Sequence, residues 1–448
     1  MKKLKKSIAF ILTAVMALTV FTIPTFAAVG DEDVQADQQV AEMQESDEVA
    51  NGPIADVDKE EPEQVELSVQ EQAGQFEVVA FPGYMSVYLE WDAVKDADKY
   101  LIYRTKQDKS EELLATVNAN EVKINRADSL SDDIDVQSSV QRMRYQDKAV
   151  QVMSYYSYRI EAASDVTVAE SNSVTEKQIQ SMGFSFQVKK DHIYRIDGTK
   201  KGKKSKTLLK KGKTYYGYGF TGGWYHLVIP EGADGYKENA TANAWISKGS
   251  TNSASRKAIT APVTYNYSNK VKEQCIRDKG KTSNTKYLIW ANLYTQEVTL
   301  FEGTKVGTKY SNWKVAKTPA SSVITKPEMI WDCASGKAST PTTTGEFSLK
   351  TKYYNRHGLY YWNCFLGTEA FHLGKQFAPK GVKQKLKTEE KNAFANGTPV
   401  SKGCVRCYPE YVWWLYNGNV GSLFKSSSKK PASKTGIGAP LKTSVWIY

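Results

Sequence analysis

Apolar residues fall on every second position in short runs of this chain: Met85, Val87, Leu89 and Trp91 form one such run, and Tyr156, Tyr158, Ile160 and Ala162 form another. Successive side chains of an extended strand point to opposite faces, so a period of two marks strands with one buried face. The chain therefore reads as mainly β. One prominent helix is expected after Pro409, where Glu410-Tyr411-Val412-Trp413-Trp414-Leu415 follows a proline suited to a first helical turn. A length of 448 residues allows roughly two to four domains.

The ends of the chain differ in kind from its middle. Met1-Lys2-Lys3-Leu4-Lys5-Lys6, an apolar run from Ile8 to Ile23 and then Pro24-Thr25-Phe26-Ala27-Ala28 have the basic, apolar, small-residue order of a secretory leader over residues 1–28. The apolar run is shorter than the about 20 residues that a bilayer-spanning helix needs, and no second span follows. An exported protein at the cell wall or outer surface, with no stable membrane span after cleavage, is the expectation. Residues 29–74 form an acidic spacer with fifteen acidic side chains and one lysine, Lys59, between Gly30 and Gly74. That composition, rich in Gln and poor in aromatics, predicts disorder. The formal charge of +11 therefore conceals a folded part nearer to about +20, a surface that favours polyanions. Outside the cell these are wall polymers or anionic carbohydrate rather than nucleic acid.

Residues 75–175 are read as a β-sandwich. The run Val87-Tyr88-Leu89-Glu90-Trp91-Asp92-Ala93-Val94, then Lys99-Tyr100-Leu101-Ile102-Tyr103-Arg104 and Tyr158-Arg159-Ile160, resembles the strands of a fibronectin type III domain, interrupted from Asn118 to Asp147. Residues 182–250 open with the lysine run Lys200 to Lys213. Leu208 to Tyr216, Gly223-Trp224-Tyr225-His226-Leu227-Val228 and Ala244-Trp245-Ile246-Ser247 are similar to bacterial SH3-like domains, small β-barrels that in exported proteins tend to bind wall material. The aromatics interleaved with lysines favour an anionic wall polymer or glycan as partner. His226 is expected to pack or hydrogen-bond, and His192 has no partner pattern. Residues 251–284, rich in Ser, Asn and Lys, read as a linker.

The chemistry is expected in the last domain, residues 285–448, at Ser401-Lys402-Gly403-Cys404-Val405-Arg406-Cys407. A cysteine attacks as thiolate, which needs nearby positive charge, N–H donors and a base. Arg406 and Gly403 supply the first two, and the start of the helix at Pro409 adds a positive terminus just beyond Cys404. Five cysteines, Cys275, Cys333, Cys364, Cys404 and Cys407, leave at least one thiol unpaired in a single chain; the count does not choose any disulfide. His372 closes the run Ala370-Phe371-His372-Leu373 and is the expected base, with His357 in the turn Asn355-Arg356-His357-Gly358 as the other choice.

The turn Thr340-Pro341-Thr342-Thr343-Thr344-Gly345-Glu346-Phe347, His372 ending a strand, Ser401-Lys402-Gly403-Cys404-Val405-Arg406 and a short terminal strand occur in the order of the L,D-transpeptidase catalytic domain, which this domain resembles. The resemblance implies a β-rich fold and an enzyme without cofactor or metal that crosslinks peptidoglycan stem peptides, donor and acceptor, through a cysteine acyl-enzyme. In it Cys404 is the nucleophile and His372 its base. Ser401 orients the pair, Arg406 holds the thiolate or the donor carboxylate, and the N–H groups of Gly403 and Cys404 form an oxyanion hole. The donor is a tetrapeptide stem that loses D-Ala. Three features depart from the pattern: Lys402 where histidine is usual, Cys407 where methionine is commoner, and a long loop from Lys375 to Pro399 that reads as a lid. A sortase-like cysteine transpeptidase is the rival enzyme, although its cysteine and arginine lie on separate strands. A wall-binding or adhesive protein without activity is the rival outside enzymes.

Overall fold

The computed structural model describes residues 74–448 except 108, 165–167, 180, 264, 321–323, 379–387 and 418–438. The expected leader and acidic spacer lie outside the described residues, as does the middle of the Lys375 to Pro399 loop.

Two sheets face each other in the first module. In one, Ser86–Asp92 pairs with Val78–Gly83 and with Arg142–Asp147. In the other, Tyr155–Ala163 lies between Lys99–Lys106 and the strands Val168–Ser171 and Val174–Lys177. Val87, Leu89 and Trp91 meet Tyr100, Ile102, Tyr158 and Ile160 in the core, with Trp91 edge-on to Tyr100 at 5.1 Å. The alternation predicts one buried face for the first of these strands, yet every residue from Ser86 to Trp91 is buried. Tyr88 packs in a second cluster with Ile276 and Trp290, and Glu90 accepts from Ser129 Oγ at 2.6 Å and Arg144 Nε at 2.7 Å. A buried carboxylate is tolerable only with such partners. The stretch that interrupts the sequence pattern thus supplies a core strand and part of the partners of Glu90.

The second module is one seven-stranded sheet in the order Lys203–Leu209, His192–Ile196, Ala244–Ser247, Trp224–Leu227, Thr214–Thr221, Gly183–Gln187, Lys257–Ile259. Its last strand comes from the segment read as linker. That segment also holds the helix Asn269–Asp278, capped by Ser268 Oγ accepting from Val271 N–H. The helix was hidden because its buried side chains include charges: Lys272 pairs with Glu297 at 2.6 Å, and Glu273 accepts from Val315 N–H at 2.9 Å. Pairing removes the cost that makes buried charge rare.

The third module has two sheets with the helix Pro409–Asn417 packed on the second. The first sheet runs Lys309–Val315, Glu297–Val306, Tyr287–Asn292, Ser444–Ile447, Gly345–Ser348. The second runs Thr351–Arg356, Leu359–Leu366, Glu369–Leu373, Val405–Cys407, and its last pair is parallel. Tyr411 through Asn417 are all buried; Tyr411 stacks on Trp331 at 4.9 Å and Trp413 meets Tyr361 at 4.7 Å.

The modules are docked to one another. Arg104 Nη2 donates to Asn239 Oδ1 at 2.8 Å, and Val152 N–H to Thr241 Oγ1 at 2.8 Å, across the first junction. At the second junction Thr344 N–H donates to the Phe220 carbonyl at 2.7 Å, Phe220 N–H to Thr344 Oγ1 at 3.0 Å, and Tyr225 hydroxyl to the Ala338 carbonyl at 2.7 Å. Buried residues of the second and third modules form one continuous apolar cluster.

Candidate active site

The pleat of the second sheet in the third module sorts its residues onto two faces. Register pairs Tyr353 with Trp362, Cys364 with Ala370, Phe371 with Val405 and His372 with Arg406. Asn363, Phe365, Phe371, Leu373, Val405 and Cys407 consequently share the face under the helix, where all are buried. Trp362, Cys364, Ala370, His372 and Arg406 share the opposite face, and Cys404, just ahead of its strand, packs against Trp362, Cys364 and Ala370. His372 thus stands one cross-strand row from Cys404.

All five cysteines are free, and Cys404 alone among them is partly exposed. Its Sγ donates to the Thr368 carbonyl at 3.5 Å. Burial pushes the thiol up to about 11; the Ala370 N–H and the charge of Arg406 act against that, while Glu369 and Cys364 add to it. The helix terminus expected beside Cys404 does not reach it, because the strand Val405–Cys407 intervenes. At about 3.3 Å per residue the helix begins roughly 15 Å away, beyond the first-turn range of its dipole.

His372 is 2% exposed, and its ring lies parallel to Trp362, 5.7 Å between centroids and 5° between planes. Its Nδ1 bonds the Leu373 carbonyl at 2.7 Å. A carbonyl only accepts, so the proton sits on Nδ1 and the lone pair on Nε2. Burial drives the imidazole down to about 4, helped by Arg406 and Lys375 and opposed by the Leu373 bond. At neutral pH the resting pair is therefore thiol plus neutral imidazole. His357 occupies the exposed tip of the hairpin beyond Arg356 and Leu359, at φ +53. Some six residues separate that tip from the Cys364 row, roughly 20 Å along the strand.

Ser401 clamps the loop. Its Oγ donates to the Cys404 carbonyl and accepts from Gly403 N–H at 3.1 Å. The Gly403 N–H expected to face an oxyanion is thus given to Ser401, and Ser401 contacts the loop backbone rather than the imidazole. Gly403 has φ +118, a conformation suited to glycine, and its α-carbon faces Glu369. Glu369 in turn accepts from Thr343 N–H at 2.9 Å and Thr343 Oγ1 at 2.7 Å. The Thr340 to Phe347 turn is tied to the loop through Thr340 Oγ1, which donates to the Ser401 carbonyl at 3.0 Å. Lys402 is exposed.

Arg406 is 4% exposed and donates through Nη2 to Glu390 at 2.8 Å. Its Nε and Nη1 are buried with no partner among the described residues. Trp362, Thr343, Glu369 and Glu390 were not singled out as site residues from sequence. Thr343 lies within the Thr340 to Phe347 turn and Glu390 within the Lys375 to Pro399 loop, Trp362 stands at even spacing from Cys364, and Glu369 has no local signal of its own. Tyr353 is exposed beside Trp362 with Arg356 over both rings, whereas Tyr354 turns toward Tyr360 and Tyr361. Among the described residues no cluster of His, Cys, Asp or Glu gathers to hold a metal, and no helix is long and apolar enough to cross a membrane.

The YkuD family, an L,D-transpeptidase catalytic domain, matches residues 286–418. A solved structure of L,D-transpeptidase 3 from Mycobacterium tuberculosis, in complex with a faropenem-derived adduct, is 12% identical over 36% of this chain and 60% of that one, with a TM-score of 0.22. No curated protein matches the chain.

Proposed function

We propose, from the premise that residues 286–418 are a YkuD L,D-transpeptidase catalytic domain, that this chain is an exported enzyme that crosslinks peptidoglycan through an acyl group carried on Cys404. One observation carries the reading: the partly exposed thiol shares a sheet face with an imidazole whose tautomer is fixed by the Leu373 carbonyl. Rotation of the thiol away from Thr368 toward Nε2 lets His372 take its proton as sulfur attacks. The carbonyl attacked joins the third residue of a tetrapeptide stem, a diamino acid, to D-Ala. The C–N bond breaks, the proton on Nε2 passes to the departing amine of D-Ala, and a thioester remains. The side-chain amine of an acceptor stem then attacks that thioester, forming the new amide and restoring the thiol. The unpartnered Nε and Nη1 of Arg406 suit the donor carboxylate. With Gly403 N–H taken by Ser401, the Cys404 N–H is the remaining backbone donor proposed for the oxyanion.

The basic, apolar, small-residue order of residues 1–28 supports export, and a site at the cell wall follows from the substrate. The sandwich and the seven-stranded sheet are read as fibronectin type III-like and SH3-like modules. Lys203, Lys204 and Lys206 are exposed on the edge strand Lys203–Leu209, which supports contact with an anionic wall polymer there. The thiol held near 11 and bonded to Thr368 is the observation that favours the rival reading, a wall-binding protein without activity.

The test is covalent uptake of a carbapenem by the purified chain, followed by intact mass. One adduct is expected, lost in Cys404→Ala and kept in Cys407→Ala. An adduct that persists in Cys404→Ala rejects the nucleophile, and no adduct on the unaltered chain favours the inactive reading.

A further inference from the structure

A cleft of about 260 Å³ opens where the three modules meet, and it contains neither Cys404 nor His372. Tyr84 comes to it from the first module, Tyr218, His226 and Trp245 from the second, and Glu346 and Trp446 from the third. The volume is below the roughly 300–1,000 Å³ of pockets that take drug-sized ligands, so it suits a single ring.

The aromatic wall is fixed in advance. His226 is stacked between Tyr218, at 4.4 Å and 21°, and Trp245, at 3.7 Å and 19°. Asn243 Oδ1 accepts from Trp245 Nε1 at 2.9 Å and meets His226 Nε2 at 3.0 Å, which locks two rings through one oxygen. A wall already ordered lowers the entropy lost on binding.

Charge decides the class of ligand. Burial lowers His226 to about 4, so the stack is neutral at pH 7. The carboxylate at the lip, Glu346, is paired with Lys281. Lys281, 5.0 Å from the centroid of Trp446, is paired with Glu346, and Lys279 lies over the ring of Tyr84 at 4.2 Å, so the cations beside this wall are engaged by a carboxylate and by ring faces, in contrast with the exposed lysine edge of the second module. A ligand with an apolar C–H face for the rings and a rim of hydroxyls for a few polar groups fits this wall. Ser181 supplies an independent sign: it lines the cleft, is 1% exposed, and its Oγ has no hydrogen-bond partner among the described residues. A buried hydroxyl without a partner costs free energy that a ligand hydroxyl or amide would recover.

The cleft is also wired to the catalytic loop. Thr344 lines it and shares three hydrogen bonds with the Phe220 backbone. The preceding Thr343 holds Glu369, which faces Gly403.

We infer that this cleft is a carbohydrate subsite that takes one neutral acetamido-sugar ring of the glycan strand bearing the stem peptide. The choice of glycan rests on the peptidoglycan reading above. Binding there would hold the polymer one turn away from the loop of Cys404, on a surface that exists only when all three modules are docked.

The test uses the full chain and a peptide-free probe, the β-1,4-linked tetramer of N-acetylglucosamine, titrated by calorimetry, with carbapenem acylation measured on the same samples. Saturable binding is expected. Trp245→Ala should weaken it about tenfold, as loss of an aromatic contact does, and Glu346→Gln, which keeps the side-chain shape, about threefold. Both variants should acylate at Cys404 at the unaltered rate, which also shows that they are folded. Absence of binding to the unaltered chain, or equal binding by both variants, overturns the subsite. If the tetramer binds as expected but Cys404 takes no carbapenem, the subsite stands and the crosslinking reading falls. Acylation without tetramer binding gives the reverse.

Discussion

Cys404 and Cys407 belong to one short segment and have the same side chain, yet they sit on opposite faces of one sheet. Cys407 points with Val405 and Leu373 into the core beneath the helix Pro409–Asn417, where burial pushes its thiol up to about 12. Cys404 turns to the other face, in the row next to His372 and Arg406, and stays partly exposed. The difference teaches that the pleat assigns the chemistry. A residue type offers a nucleophile, but strand parity decides whether it meets a base or a packed tryptophan.

The strongest way to break this comparison is to remove the imidazole proposed as the base. His372→Ala should slow acylation of Cys404 by a carbapenem about 10²–10⁴-fold, the usual worth of a positioned proton acceptor, read from a time course of intact mass. If His357→Ala gives that loss and His372→Ala does not, the pairing across the rows is wrong. Next comes the turn that aims the thiol. Gly403→Ala must hold φ +118, a strain of about 1–3 kcal/mol. If that strain is relieved by moving Cys404, acylation should fall roughly ten- to a hundredfold, while an unchanged rate would show that Ser401 alone sets the loop.

Acid should reveal the burial of His372. The unfolded chain binds a proton on this ring below about 6.5, whereas the folded protein does so only below about 4. Between those values the unfolded form holds more protons, so stability falls as pH falls through the window, by up to about 3 kcal/mol. Chemical denaturation at pH 7 and pH 4.5 should show a smaller drop for His372→Gln than for the unaltered chain; equal drops would mean that the ring is solvated. Catalysis should follow the same ring, with acylation failing as pH approaches 4. The smallest effect belongs to the inner face. Cys407→Ala should cost about 1 kcal/mol of stability from a small cavity, seen as a Tm lower by a few degrees, with the acylation rate kept.

Much of the catalytic domain was legible because its signals are local. The turn from Thr340, the strand ending at His372 and the Ser401 to Arg406 run are each contiguous, and Pro409 announces its helix. What stayed hidden depends on partners far along the chain. The helix Asn269–Asp278 carried charges whose neutralising partners, such as Glu297, lie elsewhere. The outward face of Ser86–Asp92 was covered by the turn at Ser129 and the packing around Ile276, which no alternation pattern encodes. The committed N–H of Gly403 depended on where the Ser401 hydroxyl points, and Glu390 reached Arg406 from the loop before it.

The sequence by itself determined that the chain is β-rich, that a leader-like segment precedes an acidic one, and that a cysteine, an arginine and an upstream histidine stand in a particular order. Those follow from side-chain period and residue type, which need no knowledge of distant neighbours. Tertiary structure alone decided which thiol reaches solvent, which nitrogen of His372 holds the lone pair, and that three modules close around a common cleft. These depend on register, burial and docking, and each is set by contacts between residues that the linear order keeps apart.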